Sequence, residues 1–227
     1  MEKIAFILDF DHTLVDSNMA LKAAKKNVSK ALKINESVFE ETYNNHKGQY
    51  GFHFPFVHIT SITKDNNLMN KGLKAYHSYY REMKKAVFKD SIDSIKKLKR
   101  WGSVIIFSFG EREHQLRAIF ESGLNEYCDM IRIAEKKSID EIEECIKKLN
   151  EKPSIIFSIG DRPSDAKSFK EYGNKNQIKV VGIRIRRPQG KYVNEKDIEK
   201  IVDKEYINLA EFVIEFEKGK YNIKTLE

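Results

Sequence analysis

The chain has 227 residues, of which 41% are hydrophobic and 33% charged, with a formal net charge of +7. No apolar run approaches the roughly 20 residues of a bilayer-spanning helix, and Cys128 and Cys145, without local Cys/His partners, make neither a disulfide framework nor a zinc site. The positive charge favours anionic partners in general, but the lysines (Lys22, Lys25, Lys26, Lys96, Lys97, Lys99, Lys147, Lys148) are interleaved with Glu and Asp, the pattern of solvated helix faces rather than of a nucleic-acid stripe.

The apolar run over 4–8 reads as a first β-strand that meets Asp9 and Asp11 at its end. It lacks the apolar length and cleavage site of a signal peptide, so a cytoplasmic protein is expected, with neither membrane nor nucleic acid as partner and as a monomer or homodimer. The stretch 16–90 has no period-2 pattern. Its apolar residues Leu21, Ala24, Val28, Ala31 and Leu32 recur at helical spacing, further helices are expected over 37–46 and 68–86, and 48–67 reads as loop with short helices. From 91 onward helices and strands alternate: helix 91–100, strand 104–107, helix 111–121, strand 130–133, helix 139–149 behind a Ser138/Glu141 capping box, strand 154–159, helix 164–172 and strand 178–183. A short extended piece and a last helix close 205–217. Such alternation predicts an α/β fold, a parallel sheet with helices on its faces, and a length of this size accommodates a helical unit inserted into it.

In an open parallel sheet, ligands bind beyond the carboxyl ends of the strands. Asp9, Ser108 and the pair Asp161/Asp165 all follow expected strands directly, so they can converge without being close in sequence. Carboxylates of this kind suit Mg2+, a hard cation that takes oxygen ligands. One carboxylate can attack phosphorus, and a second, two residues on, can protonate the leaving oxygen and then activate water. A hydroxyl, loop amides and a lysine are needed around the charge that develops on the transferring group.

The segments Asp9-Phe10-Asp11-His12-Thr13-Leu14, Ser108, Lys136/Lys137 before a helix, and Gly160-Asp161-Arg162-Pro163-Ser164-Asp165 together resemble the four motifs of the haloacid dehalogenase superfamily, over about 4–183. The resemblance implies a Rossmann-like core domain (1–15 and 91–227) and a helical cap domain (16–90). It implies Asp9 as nucleophile and metal ligand, and Asp11 as general acid/base with its backbone carbonyl on the metal. Ser108, Phe109 and Gly110 would hold the phosphoryl group, Asp161 and Asp165 the Mg2+, and Lys137, or else Lys136, would pair with Asp9. His12 would lie at the mouth of the site.

The expected activity is that of a Mg2+-dependent phosphatase on a small phosphorylated metabolite. Asp11 favours phosphoesters, because carbon–halogen cleavage has no leaving alkoxide to protonate. A phosphomutase, and a binding protein with a positive surface, are the alternatives. In the insertion, His46, Lys47, Tyr50, His53 and Arg81 are candidate substrate contacts, while Tyr43, Tyr50, Phe52, Phe54, Phe56, Tyr76, Tyr79 and Tyr80 are expected to build its interior. The cluster Arg184, Arg186, Arg187 and Lys191 could hold a distal phosphate, but its alternation with Ile reads as a partly exposed edge strand with charges outward.

Overall fold

A computed structural model describes residues 3–136 and 138–221. Strands β1 (Ile4–Leu8), β2 (Ser103–Phe109), β3 (Met130–Ala134), β4 (Ile155–Gly160), β5 (Lys179–Ile185) and β6 (Lys204–Tyr206) form one sheet in the order β3-β2-β1-β4-β5-β6. Every pairing is parallel. This is a Rossmann-like order, in which the chain runs outward from β1 on one side and then returns to β4 to run outward on the other. The reversal lies between β1 and β4, the position where such sheets open a crevice. Asp9/Asp11 and Asp161/Asp165 follow those two strands.

Both faces of the sheet are apolar, as parallel strands covered on two sides require. Ala5, Ile7, Ile105, Phe107 and Ile156 pack on helices α7 (Ile139–Lys147) and α8 (Ser164–Asn176) through Ile142, Cys145, Ile146, Phe169 and Tyr172. The alternate residues Phe6, Leu8, Val104, Ile106 and Phe157 meet α5 (Ser91–Leu98), α6 (Arg112–Ser122) and α9 (Leu209–Glu217). Phe6 lies between Phe157 and Phe216, with ring centroids 5.4 and 5.2 Å away. Cys128 and Cys145 are free thiols, and no helix among the described residues is long and apolar enough to cross a membrane.

Between β1 and α5 lie α1 (Ser17–Leu32), α2 (Glu36–Tyr50), α3 (Pro55–Ile62) and α4 (Asn66–Ala86). The carboxylate of Asp16 caps α1, Asn35 caps α2 and Asp65 caps α4. Helix α2 runs four residues beyond the expected end and stops at Gly51, whose φ of 79° a side chain would resist. Pro55 at the first turn starts α3 inside the stretch expected to be loop. Helix α1 packs along α4, and α4 packs on α6. Buried residues of these helices, such as Val28, Phe39, Ile59 and Tyr76, are continuous with the apolar face of β1. The chain enters and leaves this helical unit side by side: Val15 and Val87 form an antiparallel bridge, and the Asp16 amide donates to the Ala86 carbonyl at 2.8 Å.

Two expectations are corrected. Strand β5 is not an edge, because β6 pairs outside it, and Arg184 is 2% exposed rather than outward. Three residues of strand gave too weak a pattern to reveal that β5 had a neighbour. The Arg184 guanidinium is sustained by Glu205 at 2.9 Å and by the carbonyls of Tyr192 and Asp161 at 2.7 and 3.1 Å, the pairing that a buried charge demands. Arg187 is buried too, and grips both oxygens of Asp90 at 2.7 and 3.1 Å. The second correction concerns Tyr50 and Phe56, which are 45% and 57% exposed instead of interior.

Imidazoles are buried instead, at His46, His53 and His58 of the helical unit and at His114 of α6. His53 Nε2 meets His58 Nδ1 at 3.0 Å, Tyr76 reaches His53 Nδ1 at 3.2 Å, and Tyr80 reaches His114 Nδ1 at 3.0 Å. Partners on the ring nitrogens make burial of these side chains affordable in the neutral form. Burial lowers His58 and His114 to about 4 and His53 well below its ordinary 6.5. With folded values depressed, the unfolded chain gains protons first as pH falls below about 6.5, so stability present above that pH is lost toward pH 4. Urea unfolding is expected to show a loss of about 2 kcal/mol for each of His58 and His114 between pH 7 and pH 5. The pH slope should lessen in His58→Gln, and an unchanged slope in that variant would contradict a neutral buried His58.

Candidate active site

Asp9 leaves β1 with its amide donating to the Ile159 carbonyl at 2.8 Å, which continues the β1–β4 ladder one residue past the strand. Asp161 follows β4, and Asp165 lies in the first turn of α8. One carboxylate oxygen from each of Asp9, Asp161 and Asp165 lies within 4.8 Å of the others. Asp161 and Asp165 are buried. The local supports are specific: Arg184 Nε donates to the Asp161 carbonyl at 3.1 Å, and the Arg162 amide donates to Asp165 Oδ2 at 2.9 Å. Three closely spaced hard oxygen donors, open on the cleft side, fit Mg2+.

The Asp11 side chain is outside this trio. Its carboxylate accepts from Ser17 Oγ, at the start of α1, and from Gln115 Nε2 of α6 at 3.0 Å. Gln115 Oε1 in turn accepts from Ser108 Oγ at 3.1 Å. Ser108 therefore reaches Asp11 through one amide. It is a buried residue inside β2, which runs two residues beyond its expected end. Phe109 lines the cleft, and the Gly110 amide is engaged by the Ala134 carbonyl at 3.0 Å. Lys136 is exposed, and Lys137 lies outside the described residues.

A cleft of about 750 Å3 opens over these groups, with Asp9, Asp11, Asp161 and Asp165 on the sheet side and Tyr43, Lys47, Phe52, His53 and Tyr76 on the helical side. Phe52 and Phe109 close one wall edge to face, with ring centroids 5.4 Å apart. Of the candidate contacts in the helices, Lys47 and His53 line the cleft. His46 is buried and accepts from the Phe54 amide at 3.2 Å, and Tyr50 and Arg81 are exposed and away from the cleft lining. His12 lines it as expected, held at a φ of 59° that a non-glycine residue seldom adopts. Its Nδ1 is buried with no hydrogen-bond partner among the described residues.

Gln115, Ser17, Arg162 and Tyr192 also line the cleft and were not anticipated from sequence. Arg162 stacks over the Tyr192 ring at 4.4 Å and pairs with Glu195 at 3.2 Å. The one signal for Gln115 was its place in the first turns of the helix after the Ser108 strand.

Gly160 is required by close approach: a Cβ there would come within 3.0 Å of three side-chain atoms of Asp165. Gly160→Ala is expected to push Asp165 out of the trio and weaken Mg2+ binding about tenfold or more, read by calorimetric titration of the metal, in line with the effect of disturbing metal-orienting groups. Binding of wild-type strength would show that Asp165 does not contribute.

Residues 6–183 match the family model of haloacid dehalogenase-like hydrolases. Among solved structures, the fold is similar to that of a haloacid dehalogenase-like hydrolase from Burkholderia xenovorans LB400 (TM-score 0.74, 14% identity, covering 99% of this chain and 100% of that one). It is also similar to the magnesium-bound HAD-hydrolase YfnB from Bacillus subtilis (TM-score 0.67, 15% identity, 93% and 97% covered). A third is the 2-haloacid dehalogenase from Pseudomonas syringae pv. Tomato DC3000 (TM-score 0.66, 16% identity, 96% and 99% covered). No protein of curated function matches the sequence. With its sheet order, its acidic trio at the β1/β4 reversal and the match over most of its length, the chain belongs to the haloacid dehalogenase-like hydrolase family.

Proposed function

We propose that this hydrolase is a Mg2+-dependent phosphatase that acts on a small phosphorylated metabolite through an aspartyl-phosphate at Asp9. The observation that carries the reading is the pair of carboxylates with separate surroundings: Asp9 within the trio, and Asp11 held apart by Ser17 and Gln115. Mg2+, held by Asp9, Asp161, Asp165 and the Asp11 carbonyl, would supply charge neutralisation between the attacking carboxylate and the phosphoryl oxygens.

Asp9 would attack phosphorus while the Asp11 carboxyl, aimed by its two hydrogen bonds, delivers a proton to the departing oxygen. Asp11 then takes a proton from the water that attacks the phosphoaspartate, which releases phosphate and restores both side chains. Lys137 is the lysine proposed to pair with Asp9. Helices α1–α4, acting as a cap, would exclude bulk water from these steps.

The competing reading is carbon–halogen hydrolysis, suggested by dehalogenases among the structures of similar fold. A halide leaves without a proton, so in that reaction the acid role of Asp11 toward a leaving oxygen would have no counterpart. Incubation with p-nitrophenyl phosphate and a panel of phosphorylated metabolites, beside a 2-haloacid, separates the two. Phosphate release that requires Mg2+ is expected, abolished in Asp9→Asn and slowed about 10²- to 10⁴-fold in Asp11→Asn, the range of general acid–base contributions. Halide release without phosphate release, or an Asp11→Asn protein of full activity, would overturn the proposal.

A further inference from the structure

Four lysines line the cleft, Lys22, Lys25, Lys47 and Lys191, and two of them from distant parts of the chain stand together: Lys47 on α2 and Lys191 in the loop after β5. Lys191 is the charged group that acts most strongly on Lys47, ahead of Asp11, and the two side chains are in contact. Among the described residues neither takes part in a salt bridge, whereas Lys25, also on the cleft wall, is neutralised by Glu36 and Glu40 at 3.7 and 3.2 Å. Arg162, the next cation on this wall, already has Glu195. Burial together with Lys191 holds the Lys47 ammonium below its usual range, as expected where a second positive charge stands close in a partly dry site.

Two adjoining ammonium groups with no carboxylate within salt-bridge distance among the described residues repel each other, and Asp11 offsets that repulsion only in part, so an anion seated between them would be held by both. His12 adds an independent sign. The residue is 8% exposed, it stands in the field of Asp11 first and then of Lys47, Asp16 and Lys191, and its Nδ1 has no hydrogen-bond partner among the described residues while it lines the same cleft. The Tyr192 ring, next in sequence to Lys191, lies 6.3 Å from that of His12 and completes the wall.

We infer that Lys47, Lys191 and His12 form a second anion subsite, so that the substrate is a phosphate monoester whose leaving group carries a further anionic group, a carboxylate or a phosphate. The subsite rests on the phosphatase reading for placing the transferable phosphoryl group at Asp9. Its two lysines come from the helical unit and the sheet unit respectively, so an anion between them ties the two walls of the cleft together. An ester with a neutral leaving group leaves the lysines uncompensated.

Calorimetric binding to the Asp9→Asn protein with Mg2+ present tests this, using propyl phosphate, the phosphate ester of β-hydroxypropionate, and propanediol bisphosphate as probes. Either probe with a second anionic group is expected to bind roughly 30-fold tighter than propyl phosphate, the scale of hydrogen bonds to charged groups, and the better of the two identifies carboxylate or phosphate as the second anion. Lys47→Gln and Lys191→Gln should each shrink that ratio about tenfold, while Lys47→Arg retains it. Equal binding of all three probes, or a ratio untouched in both Gln variants, overturns the subsite. Because binding is read on a protein that cannot turn over, failure of the wild type to release phosphate would count against the proposed reaction and not against this site.

Discussion

Three carboxylates brought within 4.8 Å of one another repel, and the sheet is what holds them there. The opposing supports are mostly main-chain. The β1–β4 ladder carries through Asp9 to Ile159, Arg184 fastens the carbonyl of Asp161, and the turn amide of Arg162 fixes the carboxylate of Asp165. Only the last of these engages a carboxylate of the trio, through Asp165 Oδ2. The acidic cluster is thus positioned by hydrogen bonds to its surroundings, the kind of support that pre-organises a site for a ligand.

The same economy separates Asp9 from Asp11. The two are one residue apart in sequence, but the first stays in the sheet register and the second is turned toward α1 and α6, where a hydroxyl and an amide orient it. Neighbouring carboxyls with different surroundings can hold different protonation roles, which is what the proposed reaction asks of Asp9 and Asp11. Ser108 contributes by fixing the Gln115 amide, so that its NH2 faces Asp11.

Much of this was legible in the sequence because it follows from position along a strand. Acidic residues at the ends of apolar runs, with a parallel alternation behind them, fix which side chains meet, and Asp9, Asp161 and Asp165 do meet. What escaped was side-chain traffic between elements. Gln115 carries no motif, and its role comes only from the way α6 is set against the first acidic loop. Arg184 read as a surface charge because its covering strand has three residues, too few for a period-2 pattern to register. The histidines of the helical unit read as polar contacts, since mutual hydrogen bonding, which allows imidazoles to replace apolar rings in an interior, leaves no periodic trace.

Arg187 also donates to the carbonyl of Thr13, 174 residues earlier in the chain, while Asp90 accepts from Arg187 and from the first amides of α9. The loop bearing Asp9 and Asp11 is thus braced by a residue 174 positions further along the chain than Thr13. During synthesis the acidic loop therefore goes without that brace until Arg187 has left the ribosome, which makes this contact a late one in the order of assembly.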